Sequence, residues 1–194
     1  MADVIYGCRL LVLTELDEST GLPPETSPSI VRIETPQQAS ITPVFAEGQT
    51  QELRGGDKLL AVIEDDPELR GLDITFSDAL LNGEAMALIA GGTYEDKKYT
   101  APSIGTARSP FQAELYVAQY EQASVNAGDV AGYIKFTFSY VKGRIPTFSA
   151  QDRAFMVPQF TLNCRENSTA SKSIFEWEAV TTLDTPPDQV NGDD

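Results

Sequence analysis

Hydrophobic positions along the chain fall into short runs with period two, interrupted by turn residues, and only one stretch carries a helical period. Val4 to Thr14 is rich in Leu, Val and Ile and reads as a buried strand. Glu15 to Pro28 holds Gly21, Pro23, Pro24 and Pro28 and reads as a loop. Ser29 to Thr35 alternates as a strand should, and Lys58 to Ile63 and Leu72 to Phe76 are two further hydrophobic strands. Phe111 to Glu121 puts Phe111, Ala113, Leu115 and Val117 on one face. Gly132 to Val141 does the same with Ile134, Phe136, Phe138 and Tyr140, against Lys135, Thr137 and Ser139. These two are expected to pair as an antiparallel hairpin around a loop at Gln122 to Val130. Ala154 to Cys164 is a strand broken in phase near Pro158, and Ser173 to Thr181 is the last, with Phe175, Trp177 and Ala179 expected inside.

The helix is expected over Asp78 to Ala90, capped by Ser77 or Asp78. Leu81, Ala85, Leu88 and Ile89 recur at its spacing, and Gly91-Gly92 stops it. Gly83 inside it costs up to about 1 kcal/mol of propensity, so packing must hold it. Two connections are long. Thr93 to Pro110 carries Tyr94, Tyr99 and the pair Lys97-Lys98. Pro36 to Asp57 is interrupted by Pro36, Pro43, Gly48, Gly55 and Gly56 and shows no clear period. Its apolar residues Ile41, Val44 and Phe45 argue against a free loop, so Gln37 to Asp57 reads as an extended arm that packs on a neighbour. The whole reads as mostly β with one α-helix: two packed antiparallel sheets, a sandwich or barrel, with long interaction arms. Residues 1–183 form a single domain, and Asp184 to Asp194 an acidic, mobile tail.

Charge narrows the function. The chain of 194 residues has 14 Lys and Arg against 29 Asp and Glu, a net charge of −15. Such a surface repels phosphate, which disfavours a protein that grips nucleic acid. No histidine is present, which removes the commonest general base and metal ligand, and with it serine-histidine and cysteine-histidine catalysis. Cys8 and Cys164 are too few for a zinc site. They suit a disulfide or buried thiols, and nothing else here suggests secretion, which favours the thiols. The first residues, with Asp3 and no basic region, do not read as a signal peptide, and no apolar run reaches the length of a membrane span.

Other candidates are weak beside their ordinary readings. Glu64-Asp65-Asp66 with Asp73 offers carboxylates but lacks the ligand spacing of a calcium loop, so a solvated turn is expected. Arg54-Gly55-Gly56-Asp57-Lys58 lacks the phosphate-loop fingerprint and reads as a turn. Asn167-Ser168-Thr169 matches a glycosylation sequon and also reads as a turn. Lys97-Lys98 is either a solvated loop or a salt contact with an acidic neighbouring subunit. No carboxylate pair stands out as an acid and base, so the chain is expected not to be an enzyme, with no cofactor.

The order of elements from Ser29 to Gly92 carries a resemblance. A strand ends in Ile33-Glu34-Thr35-Pro36-Gln37, followed by a long arm through Glu47-Gly48 and the turn Arg54-Gly55-Gly56-Asp57. Then come Leu59-Leu60-Ala61-Val62, the acidic link Glu64 to Gly71, the strand Leu72-Asp73-Ile74-Thr75-Phe76, and the helix closed by Gly91-Gly92. This succession resembles the major tail tube proteins of siphophages. The resemblance covers about a third of the chain closely and implies no catalytic residues. It implies subunits that form hexameric rings, stacked into a tube that conducts viral DNA during ejection, as part of the virion tail after assembly in the host cytoplasm. It implies as partners other copies of the chain, the tape-measure protein, tail terminator and distal tail proteins, and transiting DNA held without specific binding; no membrane is involved. An acidic lumen would let DNA slide, with Glu34, Glu64 and Glu114 as candidate lining residues and Lys135 as the exception. Two rival readings remain: the inner tube of a contractile tail or secretion tube, and a β-sandwich module that binds a receptor or carbohydrate.

Overall fold

A computed structural model describes residues 4–26, 28–120 and 130–183. Its main element is an antiparallel sheet of eight strands. These are β1 (Val4–Glu15), β2 (Ile30–Ile33), β3 (Pro36–Ala46), β6 (Glu68–Asp78), β9 (Phe111–Tyr120), β10 (Gly132–Gly143), β11 (Gln159–Cys164) and β12 (Phe175–Val180). Two separate hairpins are β4 (Thr50–Gly55) with β5 (Lys58–Glu64), and β7 (Thr93–Glu95) with β8 (Lys98–Thr100). One helix, α1 (Gly83–Ala90), completes the described residues.

The large sheet runs β2-β1-β9-β10-β11-β6-β3, and β12 pairs with β10 off that path. It folds over without closing into a barrel. One core draws Leu11, Leu13, Leu115 and Phe138 from one end of the sheet and Ile74, Phe76, Phe160 and Leu162 from the other. Phe76 and Phe160 stack at 4.7 Å across the β6–β11 pair. Period two places these residues on a single face, so the register is fixed by burial: a slip of one residue would turn every one of them outward.

The expected β9–β10 hairpin is present, although residues 121–129 of its loop lie outside those described. The acidic tail also lies outside them. Three expectations change. Pro36 to Ala46, expected to lack regular structure, is a strand paired along its length with β6. Pro36 and Pro43 fit because β3 is an edge strand, where a missing N–H breaks no ladder. The strand expected from Ala154 begins only at Gln159; Pro158 precedes it, and its carbonyl accepts from the Asp78 N–H at 3.3 Å.

The third change is the start of the helix. Asp78 belongs to β6, where its buried carboxylate accepts from Thr35 Oγ1 at 2.5 Å. The cap is Asn82, whose Oδ1 accepts from the Glu84 and Ala85 N–H groups at 2.9 and 3.2 Å. Gly83 is then the first helical residue, where its propensity cost is small. Leu81 falls before the helix and is exposed, whereas Ala85, Met86 and Ile89 are buried. Gly91 ends the helix as expected, at φ 77° and ψ 178°, a conformation essentially restricted to glycine.

Asn167 lies in the expected turn, but its side chain points inward. It is buried, donates through Nδ2 to the carbonyls of Gly21 at 2.7 Å and Ser139 at 3.4 Å, and accepts from the Ala170 N–H. It ties the Glu15 to Pro28 loop to β10.

Two stability measurements check this packing by chemical denaturation. Ile89→Ala should cost about 2–5 kcal/mol, and Leu88→Ala less, because Leu88 is only half-buried. Asn167→Ala should cost about 1–3 kcal/mol, since it strands the Gly21 carbonyl and the Ala170 N–H, with the denaturant slope unchanged.

Candidate assembly surfaces

The β4–β5 hairpin is a free ribbon. All thirteen residues of its strands are exposed. The register sets Gln51 opposite Ile63, Glu52 opposite Val62 and Leu53 opposite Ala61, with an irregularity before Arg54–Leu59. Alternation puts Leu53, Ala61 and Ile63 on one face and Glu52 and Val62 on the other; past the irregularity Leu59 stands opposite Arg54, on the face of Val62, and Leu60 is the extra residue, its side chain lying toward Gly55. A two-stranded hairpin is marginal alone, and this one is apolar on both sides. Its turn Gly55-Gly56-Asp57-Lys58 is the expected turn, with Gly56 at φ 62°. Its foot is tight: a Cβ on Gly48 would lie 1.6 Å from the Asp65 carbonyl oxygen, so only glycine lets the two legs meet there.

The three arm residues named from sequence lie on β3, beside this ribbon rather than in it. Ile41 and Phe45 are exposed and Val44 is half-buried. Ile41 pairs with Ile74, Val44 with Gly71 and Phe45 with Leu69. Regular β3 pairing left no loop there; the projecting part is Thr50 to Glu64.

The other sheet face is mixed: Leu10, Val12 and Tyr116 form a second buried cluster with Ile30, Tyr133, Val180 and Leu183, and polar residues stand beside it. Cross-strand rows place Arg32, Val12, Glu114, Thr137 and Glu176 in one line, and Leu10, Tyr116, Lys135 and Glu178 in the next. Lys135 Nζ meets Glu178 Oε1 at 2.5 Å. Glu114 accepts from Gln112 Nε2 at 3.1 Å and from the Tyr116 hydroxyl at 3.2 Å. The three acidic candidates occupy different places. Glu114 is on this face, Glu34 is in the turn after β2, and Glu64 is at the foot of the ribbon, opposite Thr50.

Trp177 corrects a sequence expectation. It faces the core side but is 62% exposed, and Phe175 is 42% exposed. β12 continues the sheet beside β10 beyond the end of β11, where no strand of the covering half reaches. The period was right, and the missing cover was invisible to it. Asp73 accepts from Asn163 Nδ2 at 2.6 Å within the β6–β11 pair. Among the described residues, no three His, Cys, Asp or Glu side chains converge as metal ligands. Lys97, at φ 62°, forms the β7–β8 turn, and Lys98 stands opposite Glu95.

Both cysteines are free. Burial pushes the Cys164 thiol up to about 11, and it raises that of half-buried Cys8 as well. A thiol whose folded pKa is raised stabilises the fold fully below its unfolded value near 9, and that contribution is lost as pH rises through about 11. At pH 8 iodoacetamide should label Cys8 faster than Cys164, and unfolding in denaturant should abolish the difference.

Among the described residues no helix is long and apolar enough to cross a membrane. No family model matches the chain, and no curated protein matches it. A solved structure described as the cryo-EM structure of the anti-feeding prophage (AFP) baseplate, 6-fold symmetrised, aligns over 94% of this chain and 100% of that chain, with 10% identity and a TM-score of 0.38.

Proposed function

We propose that the chain is a non-enzymatic structural subunit of a phage tail tube, self-assembling into stacked hexameric rings that conduct DNA. The observation that carries this reading is the free ribbon Thr50 to Glu64, which exposes Leu53, Leu59, Leu60, Val62 and Ile63. A monomer has no use for a hairpin apolar on both faces, and water makes it costly. Another copy of the chain, in the next ring, covers it. The ordered elements from Ser29 to Gly92 that resemble siphophage tail tube proteins support the same reading.

The edges of the sheet fit this role. β3 presents eleven residues with one side unpaired, the kind of edge that recruits another strand. Joining such edges around a ring removes them. The polar part of that mixed face, around Glu114, Glu176 and Glu178, is the candidate inner wall. Its three carboxylates face Lys135 and Arg32, so DNA would meet a weakly acidic surface rather than a basic one that grips phosphate. Glu34 and Glu64 lie off this face, and Glu114 is the acidic candidate that remains for the lumen.

Replacing Thr50 to Glu64 with a short Gly-Ser linker should leave the circular dichroism and melting temperature of the large sheet intact, because no core residue is lost. Electron microscopy should then show no long tubes. Tubes of normal length from that variant would overturn the assignment of the arm, and a chain that stays monomeric with tail partners supplied would overturn the tube.

A further inference from the structure

Two unpartnered apolar surfaces stand out on this chain. One is the ribbon. The other is the part of the core-side sheet face that runs out from under its cover. Cross-strand rows trace it. In one row Ile33, Leu11 and Leu115 are buried, at 2%, 4% and 4% exposed; Phe136 is half-buried and Trp177 is open. The next row passes through Val31, Leu13, Ala113 and Phe138 and ends on Phe175. The exposed patch is therefore not scattered surface but the outer margin of the hydrophobic core itself, ending in a tryptophan.

We infer that this margin, centred on Trp177, Phe175 and Phe136, is the socket into which the β4–β5 ribbon of a second copy docks. This rests on the tube reading and adds the surface that receives the arm. Three observations select a second copy as the occupant. First, the ribbon supplies apolar side chains on both faces, so a flat sheet margin buries one face while the other remains for the receiving copy's flank. Second, charge favours this contact over others. Thr50 to Glu64 carries Glu52, Asp57 and Glu64 against Arg54 and Lys58, so it is nearly neutral within a chain of −15. It is the segment that one acidic copy can bring close to another with little repulsion. Third, the socket offers an aromatic ring to the cation at the ribbon's tip. Lys58 at the ribbon tip makes no ion pair among the described residues. Trp177 is 62% exposed on the core-side face, and an aromatic ring face attracts a cation, whereas Glu176 and Glu178 alternate onto the opposite face.

The contact is heterologous, ribbon to socket, so it does not close on itself as a twofold dimer does. A joined pair keeps one free ribbon and one free socket, so assembly continues into rings or filaments. Buried aromatic residues are the usual centres of binding energy in such contacts.

Trp177 is the single tryptophan, so the whole chain reports on the socket without a label. The reference is the full chain carrying Leu60→Asp and Val62→Asp, with its fold checked by circular dichroism. In this dispersed reference acrylamide should quench Trp177 freely. In assembled wild-type tubes the quenching constant should fall several-fold and the emission shift to the blue. A photo-crosslinking phenylalanine analogue at position 177 should capture the peptide spanning 50–64 of another copy. Tubes in which Trp177 stays as quenchable as in the reference, or a cross-link to another segment, would overturn the socket and leave the tube standing. A Trp177 already shielded in the dispersed chain would overturn it too, by showing that the chain covers itself. A wild-type chain that never assembles overturns both readings together.

Discussion

Phe76 and Phe160 stack across one strand pair, and Phe138, Leu115 and Leu13 meet them from the other end of the same sheet. That meeting of a sheet with itself is the contact the rest of the molecule answers to. It sets which face of each strand is apolar. It also decides which strands carry polar residues on the reverse, where Glu114, Lys135 and Glu178 sit. The helix needs it as well, since eight residues do not hold a helix alone in water. Ile89 and Ala85 anchor α1 in the same core, and its position follows from theirs.

β9 and β10 are legible in the sequence because their apolar residues alternate over a buried face, and β1 because its continuous apolar run Leu10 to Leu13 is buried on both faces. The helix was legible in kind and in where it stops, but not in where it starts. Asp78 and Asn82 are both good caps by residue type. What separates them is that β6 takes Asp78 into its ladder with β3 and buries it against Thr35. β3 was missed because its prolines argue against a strand in general and not against an edge strand. Only the neighbour order distinguishes the two. Trp177 was placed on the correct face and assigned the wrong environment, since periodicity reports direction and not whether anything lies above. Asn167 gave no sequence signal as a core residue: its partners, Gly21 and Ser139, lie far away in the chain.

Exposure in this molecule is unevenly distributed. The folded half of the sheet buries its apolar side chains almost completely, while the ribbon, the edge of β3 and the margin at β12 bury little. A marginally stable domain gains by covering such surfaces, at roughly 25 cal/mol for each Å² removed from water. Specific interfaces cover about 800 Å² on each partner and engage some 20–30 residues a side. A ribbon with both faces free, joined by Ile41, Phe45 and Leu69 at its root, is of that order in residues. One part of the sheet closes on itself for stability, and in the proposed assembly the rest is the surface that association would cover.

Charge limits how that association proceeds. Copies that each carry −15 repel one another, and the repulsion grows as more join. Screening confines it to about 8 Å at physiological ionic strength, so distant parts of neighbouring copies hardly interact and the decisive charges are those at the contact. An arm lined with Glu and Asp would meet its strongest repulsion where it needs to bind. A ribbon that balances Glu52 with Arg54, joined at 2.8 Å, and Asp57 with Lys58 escapes this. The acidic surplus sits elsewhere, at the foot of the ribbon and among the polar residues of the reverse sheet face, where in the proposed assembly it would disfavour other registers. In the proposed assembly apolar contact would supply the attraction and negative charge would disfavour the alternatives, which is how one chain with several uncovered surfaces would arrive at a single arrangement.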